Sequence, residues 1–221
     1  MDIIVNLGQD KPELIKTIKQ AEGIVQGLTS TSKMPSASYS LPADECKKGA
    51  KLRKIKGSVC SICFALKGNY KRYPAITRAQ YRRLKALDNP NWVNAMVYLL
   101  THKKDITSAG VFRWHDSGDL QSVQHLGKIL QVVLNTPNIK HWLPTKESRL
   151  IKHMGIKTPD NLVIRLSGAM VDGKAPVYAH TSTVTTDANN ATCRSFENEG
   201  KCGDCRKCWD KDVKNITYLS H

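Results

Sequence analysis

The sequence has no apolar run approaching the ~18 residues of a membrane span, although hydrophobic residues make up 40% of its 221. A transmembrane helix is therefore not expected. The opening stretch, MDIIVNLGQDKPEL, carries an acid at position 2 and too short an apolar segment for a signal peptide. Internal repeats and low-complexity tracts are lacking, so a solenoid is not expected. An even cysteine count is lacking too. Seven cysteines fit a disulfide framework poorly, and a cytoplasmic location follows, where thiols stay reduced. Acids are scarce, 19 against 34 Lys and Arg, for a formal charge of +15. That excess favours a polyanionic partner, DNA or RNA. No long Lys/Arg block exists; the positive residues are spread through folded-looking segments.

What is present alternates helix and strand. Residues 10–28 are predicted helical, with Asp10 as N-cap and Glu13 three residues on. MPSASYSLPA (34–43) is predicted as a short strand. A long loop with Cys46 and the basic residues Lys51, Arg53 and Lys54 follows, leading to GSVCSICFALKGNY. Helices are predicted over 74–87 and after Asn89-Pro90. Then come a strand (110–115), a helix (119–134), a strand (139–144), a short helix in KESRLIKHM, and strands over 161–168 and 175–183. Five strands alternating with helices predict parallel βαβ units. The fold class is α/β: a partial (βα) barrel or an open parallel sheet, with functional groups at the carboxyl ends of the strands. Residues 1–184 are assigned to this domain and 185–221 to a cysteine-rich metal-binding segment.

The cysteines divide three and four. Cys46, Cys60 and Cys63 lie in the loop after the first strand; a stretch of 129 residues without cysteine separates them from Cys193, Cys202, Cys205 and Cys208. The CxxCxxC spacing of the second group suits zinc or an iron–sulfur cluster, with His221 as an alternative zinc ligand. The first group has no histidine in its loop, and Asp44 or Glu45 is a weak fourth zinc ligand. Three thiolates alone suit a cluster with one open iron.

SKMPSASYSLPADECKKGAKL, GSVCSICFALKGNY, FRWHDSGDLQSVQHL and HWLPTKE resemble the phage family known as gene product 88. The likeness runs over nearly the whole chain and implies a phage protein made in host cytoplasm. More distantly, Cys60-Ser61-Ile62-Cys63-Phe64 resembles the cluster loop of radical S-adenosylmethionine enzymes. That resemblance implies a 4Fe-4S cluster on Cys46, Cys60 and Cys63 and an auxiliary cluster on the C-terminal four. It places Ser117, Gly118 and Asp119, then Thr145, and then Arg165 and Ser167, against S-adenosylmethionine. The sequence departs from that pattern in the thirteen residues between Cys46 and Cys60 and in lacking one glycine and the proline of the acidic motif. HDSGDLQS, Pro144-Thr145 and the late cysteines also resemble base-exchanging transglycosylases, which would make Asp116 a nucleophile.

The expectation drawn from all this is an iron–sulfur, radical S-adenosylmethionine-like enzyme acting on nucleic acid or a nucleotide. Asp116, Asp119 and His115 are the catalytic candidates. Lys51, Arg53, Lys54, Arg78, Arg82 and Arg83 are the candidate phosphate contacts. Asp119 has a capping role as its alternative, and Trp114 and Trp142 are candidates for stacking on a base. The alternative function is a non-enzymatic, basic nucleic-acid-binding protein with structural zinc or iron–sulfur centres.

Overall fold

A computed structural model describes residues 14–152 and 158–220. The first helix, α1 (Ile18–Val25), begins where the Thr17 side chain accepts from the Gln20 N–H and ends at Gln26 in the left-handed conformation. Asp10 and Glu13 lie outside the described residues. A two-residue strand, β1 (Ser38–Tyr39), is followed by α2 (Lys47–Arg53), α3 (Gly68–Arg72), α4 (Pro74–Ala86), α5 (Trp92–His102) and α6 (Lys104–Ala109). The βα alternation then becomes regular: β2 (Val111–Trp114), α7 (Val123–Leu134), β3 (Lys140–Thr145), α8 (Ser148–Lys152), β4 (Leu162–Val171), β5 (Thr181–Thr185) and β6 (Asn215–Leu219). Several elements differ from expectation, among them the first helix, which ends at Val25, and the first strand, which is only Ser38–Tyr39. α7 starts four residues later than predicted because Ser122, whose hydroxyl accepts from the His125 N–H, is its cap. The strand predicted over 175–183 is displaced to β5. The sixth strand, NITYL, was not predicted.

The six strands form one open sheet in the order β1-β2-β3-β4-β5-β6, every pair parallel. β6 pairs with β5 from Thr181↔Asn215 to Thr185↔Leu219. The boundary drawn at residue 184 therefore separates two strands that share a ladder. No helix among the described residues is long and apolar enough to cross a membrane.

Side chains alternate across the sheet, as the strand period requires. Tyr39, Phe112, Trp114, Leu143 and Ile164 join Val25, Trp92, Met96, Leu99, Ile129 and Val133 from the helices in the main core. Burial of these large side chains contributes roughly 1.5–3 kcal/mol each before chain entropy is counted. Tyr39 is also pinned by polar bonds: its hydroxyl donates to Val25 O at 2.9 Å and accepts from Trp92 Nε1 at 3.1 Å. The alternate strand positions point the other way. Val111 and Trp142 pack there with Trp209, Cys208 and Tyr218, so the cysteine-rich segment covers part of the second face.

Candidate metal and substrate site at the carboxyl edge of the sheet

Parallel strands bring the exits of β1, β2 and β3 to one edge. From β1 the chain runs through a 3-10 turn (Ala43–Glu45) to Cys46, which caps α2. Cys60 sits in a second 3-10 turn (Val59–Ile62), and Cys63 joins it to a third (Phe64–Leu66). α2 thus fills the long gap between the first two cysteines. Ser58 fastens this fold-back, donating to Leu52 O at 2.6 Å and accepting from the Ser61 N–H at 3.0 Å. A Cβ added at Gly49 would stand 2.8 Å from Cys46 Cβ, 3.8 Å from Cys46 Sγ and 3.7 Å from Cys60 Sγ. The Cys46 Cβ contact is too short for any side chain at this position, while both sulfurs lie at ordinary contact distance.

Burial raises the Cys46 thiol, and Asp119, Cys63 and Cys60 around it raise it further. Burial raises Cys60 as well, opposed by Lys146 and Arg53. The three cysteines, Asp119 and Lys146 are therefore one electrostatic neighbourhood. Lys146 closes it. Its half-buried ammonium is pushed below the usual lysine range by desolvation, is supported by Cys60, Asp119 and the other two thiols, and donates to Gly168 O at 2.5 Å.

The turn after β2 abuts this loop. Leu41 N donates to Ser117 O (2.9 Å) while Ser117 Oγ donates to Leu41 O (3.0 Å). Gly118, at φ +82°, lies so close that a Cβ would meet Leu41 Cβ at 2.6 Å. Asp119 is buried, and burial raises its carboxyl to about 6 despite three donors. It accepts from Leu120 N (2.8 Å), Thr145 Oγ1 (2.6 Å) and Lys146 N (2.8 Å). Three of a carboxylate's four or so acceptor positions are thus used inside the protein. Asp119 joins the exits of β2 and β3 rather than capping α7, and Thr145 is its partner. Glu147 in turn accepts from the Lys48 N–H at 2.6 Å, tying the exit of β3 to the start of α2.

Other candidates lie within the packed fold. His115, at φ 55°, is 3% exposed, with neither ring nitrogen hydrogen-bonded, and burial holds it neutral. Trp114 and Trp142 are buried in packing, so neither offers a face to a base; Arg113 lies over the Trp142 ring at 4.5 Å. Arg165 is fully buried and donates to the carbonyls of Cys208, Thr181, Val213, Lys207 and Asp210. It clamps the C-terminal segment to β4. Ser167 accepts from Ser182 Oγ at 3.1 Å. Asp116 is also buried, its two oxygens accepting from Ser38 Oγ (2.7 Å) and Tyr70 Oη (3.1 Å). About two of its four or so acceptor positions remain unused.

The second cysteine group gathers against the covered face. Cys193 N donates to Thr217 O on β6 and Cys202 N to Lys33 O, each at 3.0 Å. Burial raises Cys202, with Cys193 and Cys205 adding to the effect. Burial pushes Cys208 up to about 11, partly offset by its Tyr218 hydrogen bond. All seven thiols are free. Among the described residues, no three His, Cys, Asp or Glu side chains close round a point tightly enough for a single metal ion. Asp44 pairs with Lys71 at 2.8 Å and Glu45 accepts from Tyr81 at 3.3 Å, so neither adds to the first trio. His221 lies outside the described residues.

The family model described as gene product 88 matches residues 7–211. The chain belongs to the gene product 88 family. That span includes all seven cysteines and stops just short of β6. Comparison with curated proteins and with solved structures returned no match.

Within this gene product 88 protein the candidate phosphate contacts separate. Lys51, Lys54, Arg78 and Arg82 are exposed. Arg53 is half-buried and donates to Ala43 O at 3.1 Å, bracing the turn before Cys46. Arg83 is 8% exposed; it donates to Gly27 O, Ser40 Oγ and Leu28 O and holds the chain that enters β1. Three of its five N–H donors are used there. Sequence reasoning did not single out Ser38, Tyr70 or Arg113. The last was visible in principle, since an arginine alternating with Val, Phe and Trp in VFRWH must face away from the main core.

Proposed function

We propose that this protein is an iron–sulfur enzyme of the radical S-adenosylmethionine type, acting on nucleic acid or a nucleotide. The observation that carries the proposal is the position of Cys46, Cys60 and Cys63. They leave the first strand of a six-stranded, sequentially ordered parallel sheet at the edge where βα folds bind ligands. The donor set fits a cluster better than a single ion. Three sulfurs share one charged neighbourhood, and no histidine joins them among the described residues.

Cys46, Cys60 and Cys63 would hold such a cluster, which would supply one electron to a bound S-adenosylmethionine. The chain's own residues have supporting tasks. Lys146 and Arg53 favour the thiolate form of Cys60, and Arg53 that of Cys46. Asp119 and Thr145 hold the exits of β2 and β3 together behind it. Cys193, Cys202, Cys205 and Cys208 form a second centre, an iron–sulfur cluster or zinc.

The test is anaerobic isolation with iron, zinc and sulfide analysis and an absorption spectrum. Brown protein is expected, with about four irons per cubane cluster. Its spectrum should shift on adding S-adenosylmethionine, and Cys63→Ser should abolish that response while sparing the C-terminal centre. Colourless protein containing only zinc would refute the enzyme. It would leave a basic nucleic-acid-binding protein with structural metal.

A further inference from the structure

The chain's positive charge is not spread evenly through the fold. Residues 46–87 hold thirteen Lys and Arg and no Asp or Glu, so the rest of the protein is close to neutral. This acid-free stretch is the segment that carries the three cysteines, α2, α3 and α4. Of its cations, Arg53 and Arg83 serve the fold, and Lys71 is paired with Asp44. Lys67, Arg72, Arg78, Arg82 and Lys85 are exposed and make no ion pair among the described residues.

The same segment exposes aromatic faces. Phe64 is 57% exposed, Tyr73 51% and Tyr81 42%. Phe64 directly follows Cys63, and Tyr73 caps α4. On α4, Tyr81 stands three residues from Arg78 and four from Lys85, with Arg82 beside it, so one exposed face carries a ring among three cations. A hollow of about 510 Å³, whose lining includes Tyr81, Lys85, Gln121, Gln124 and Lys128 and one acid, Asp88, adjoins that face. A second, of about 540 Å³, is lined by Gln26, Arg82, Lys85 and Asn89.

Phosphates alone would be served by the cations. Exposed rings interleaved with cations add what unpaired bases need, a surface on which to stack. A duplex keeps its base faces internal and has no use for the rings. We infer that the partner of this surface is a single-stranded nucleic acid, whose backbone follows the α3–α4 cations and whose bases stack on Phe64, Tyr73 and Tyr81. The strand then reaches the cysteine loop at Phe64. This deepens the proposed function by naming its substrate class, and it rests on that proposal only for the chemistry that follows binding.

The test titrates the protein as isolated with labelled single strands and duplexes of one sequence, as RNA and as DNA, over a range of salt. Single strands of either chemistry should bind about tenfold or more tighter than duplex. Tyr73→Ala and Tyr81→Ala should each weaken single-strand binding by about 5- to 100-fold and leave the salt slope unchanged. Arg78→Gln and Arg82→Gln should each lower the log–log slope by about 0.7. Equal affinity for duplex, or tyrosine variants that bind as the wild type does, would overturn the inference. Strand binding by protein that holds no iron would support it while the enzymatic proposal fails. Iron-loaded protein that binds no strand would do the reverse.

Discussion

Lowering the pH from about 7.5 to about 5.5 should cost this fold about 3 kcal/mol, and three buried imidazoles are the reason. His115, His125 and His141 are each at most 3% exposed. Burial drives His125 and His141 down to about 3 and His115 well below the ordinary value. Their surroundings offer a proton no compensation. His115 packs edge-on against His125 and feels Arg113; His125 feels Lys128; His141 stacks on Trp114. Because the folded values are depressed, the unfolded chain binds more protons, and stability is lost as pH falls below about 6.5. One unit below that point each imidazole forfeits about 1.4 kcal/mol, so the three together forfeit about 4. Asp119 acts in the opposite sense. Its carboxyl is raised by burial to about 6, so the folded state takes up its proton first and regains just under about 1 kcal/mol by pH 5.5. The balance is a large share of a stability of about 5–15 kcal/mol. Urea unfolding midpoints measured across this range should fall by about 1 M. In Asp119→Asn the fall should be deeper by about 1 kcal/mol, because the offsetting group is gone. A midpoint that stays flat or rises on acidification would refute the argument.

Two substitutions probe the joints of the site. Gly118→Ala places a Cβ 2.6 Å from Leu41 Cβ and 2.8 Å from Leu41 O at a positive φ; it should destabilise by about 3 kcal/mol in thermal unfolding, and an unchanged melting temperature would count against the close approach. Arg165→Met keeps bulk but strips a charged donor from five carbonyls, and should cost on the order of 3–5 kcal/mol. Reaction of Cys205 and Cys208 with a thiol reagent should quicken in that variant; protection equal to wild type would mean that the clamp is not needed.

The regular βα portion was legible because its signals are local. VFRWH and IKHWLP alternate in the register of β2 and β3, and the apolar stripe of Leu126, Ile129, Leu130 and Val133 marks α7. β6 was not legible: NITYL follows WDKDVK in a segment dominated by its cysteines, and only pairing with β5 makes it a strand. Arg83 and Arg165 were misjudged for a related reason. A charged residue in a helix or strand pattern suggests solvent or ligand, whereas these guanidiniums answer carbonyls of segments far away in the chain. The cysteine division was plain in the spacing. That Lys146 would close the first trio was not, because the contact joins exits of different strands.

The sequential strand order also sets a timetable. A sheet ordered β1 to β6 extends at one edge in the order in which a ribosome delivers the strands, so no finished pair has to reopen for a later one. Cys46, Cys60 and Cys63 acquire most of their surroundings once β4 has emerged, since Lys146 and Gly168 are then in place. The C-terminal four must wait. Cys193 leans on Thr217 and Cys208 on Tyr218, which are among the last residues made. A chain stalled before residue 215 would carry one assembled cysteine nest and four unsheltered thiols, a state that cellular proteases and oxidants can distinguish from the finished protein.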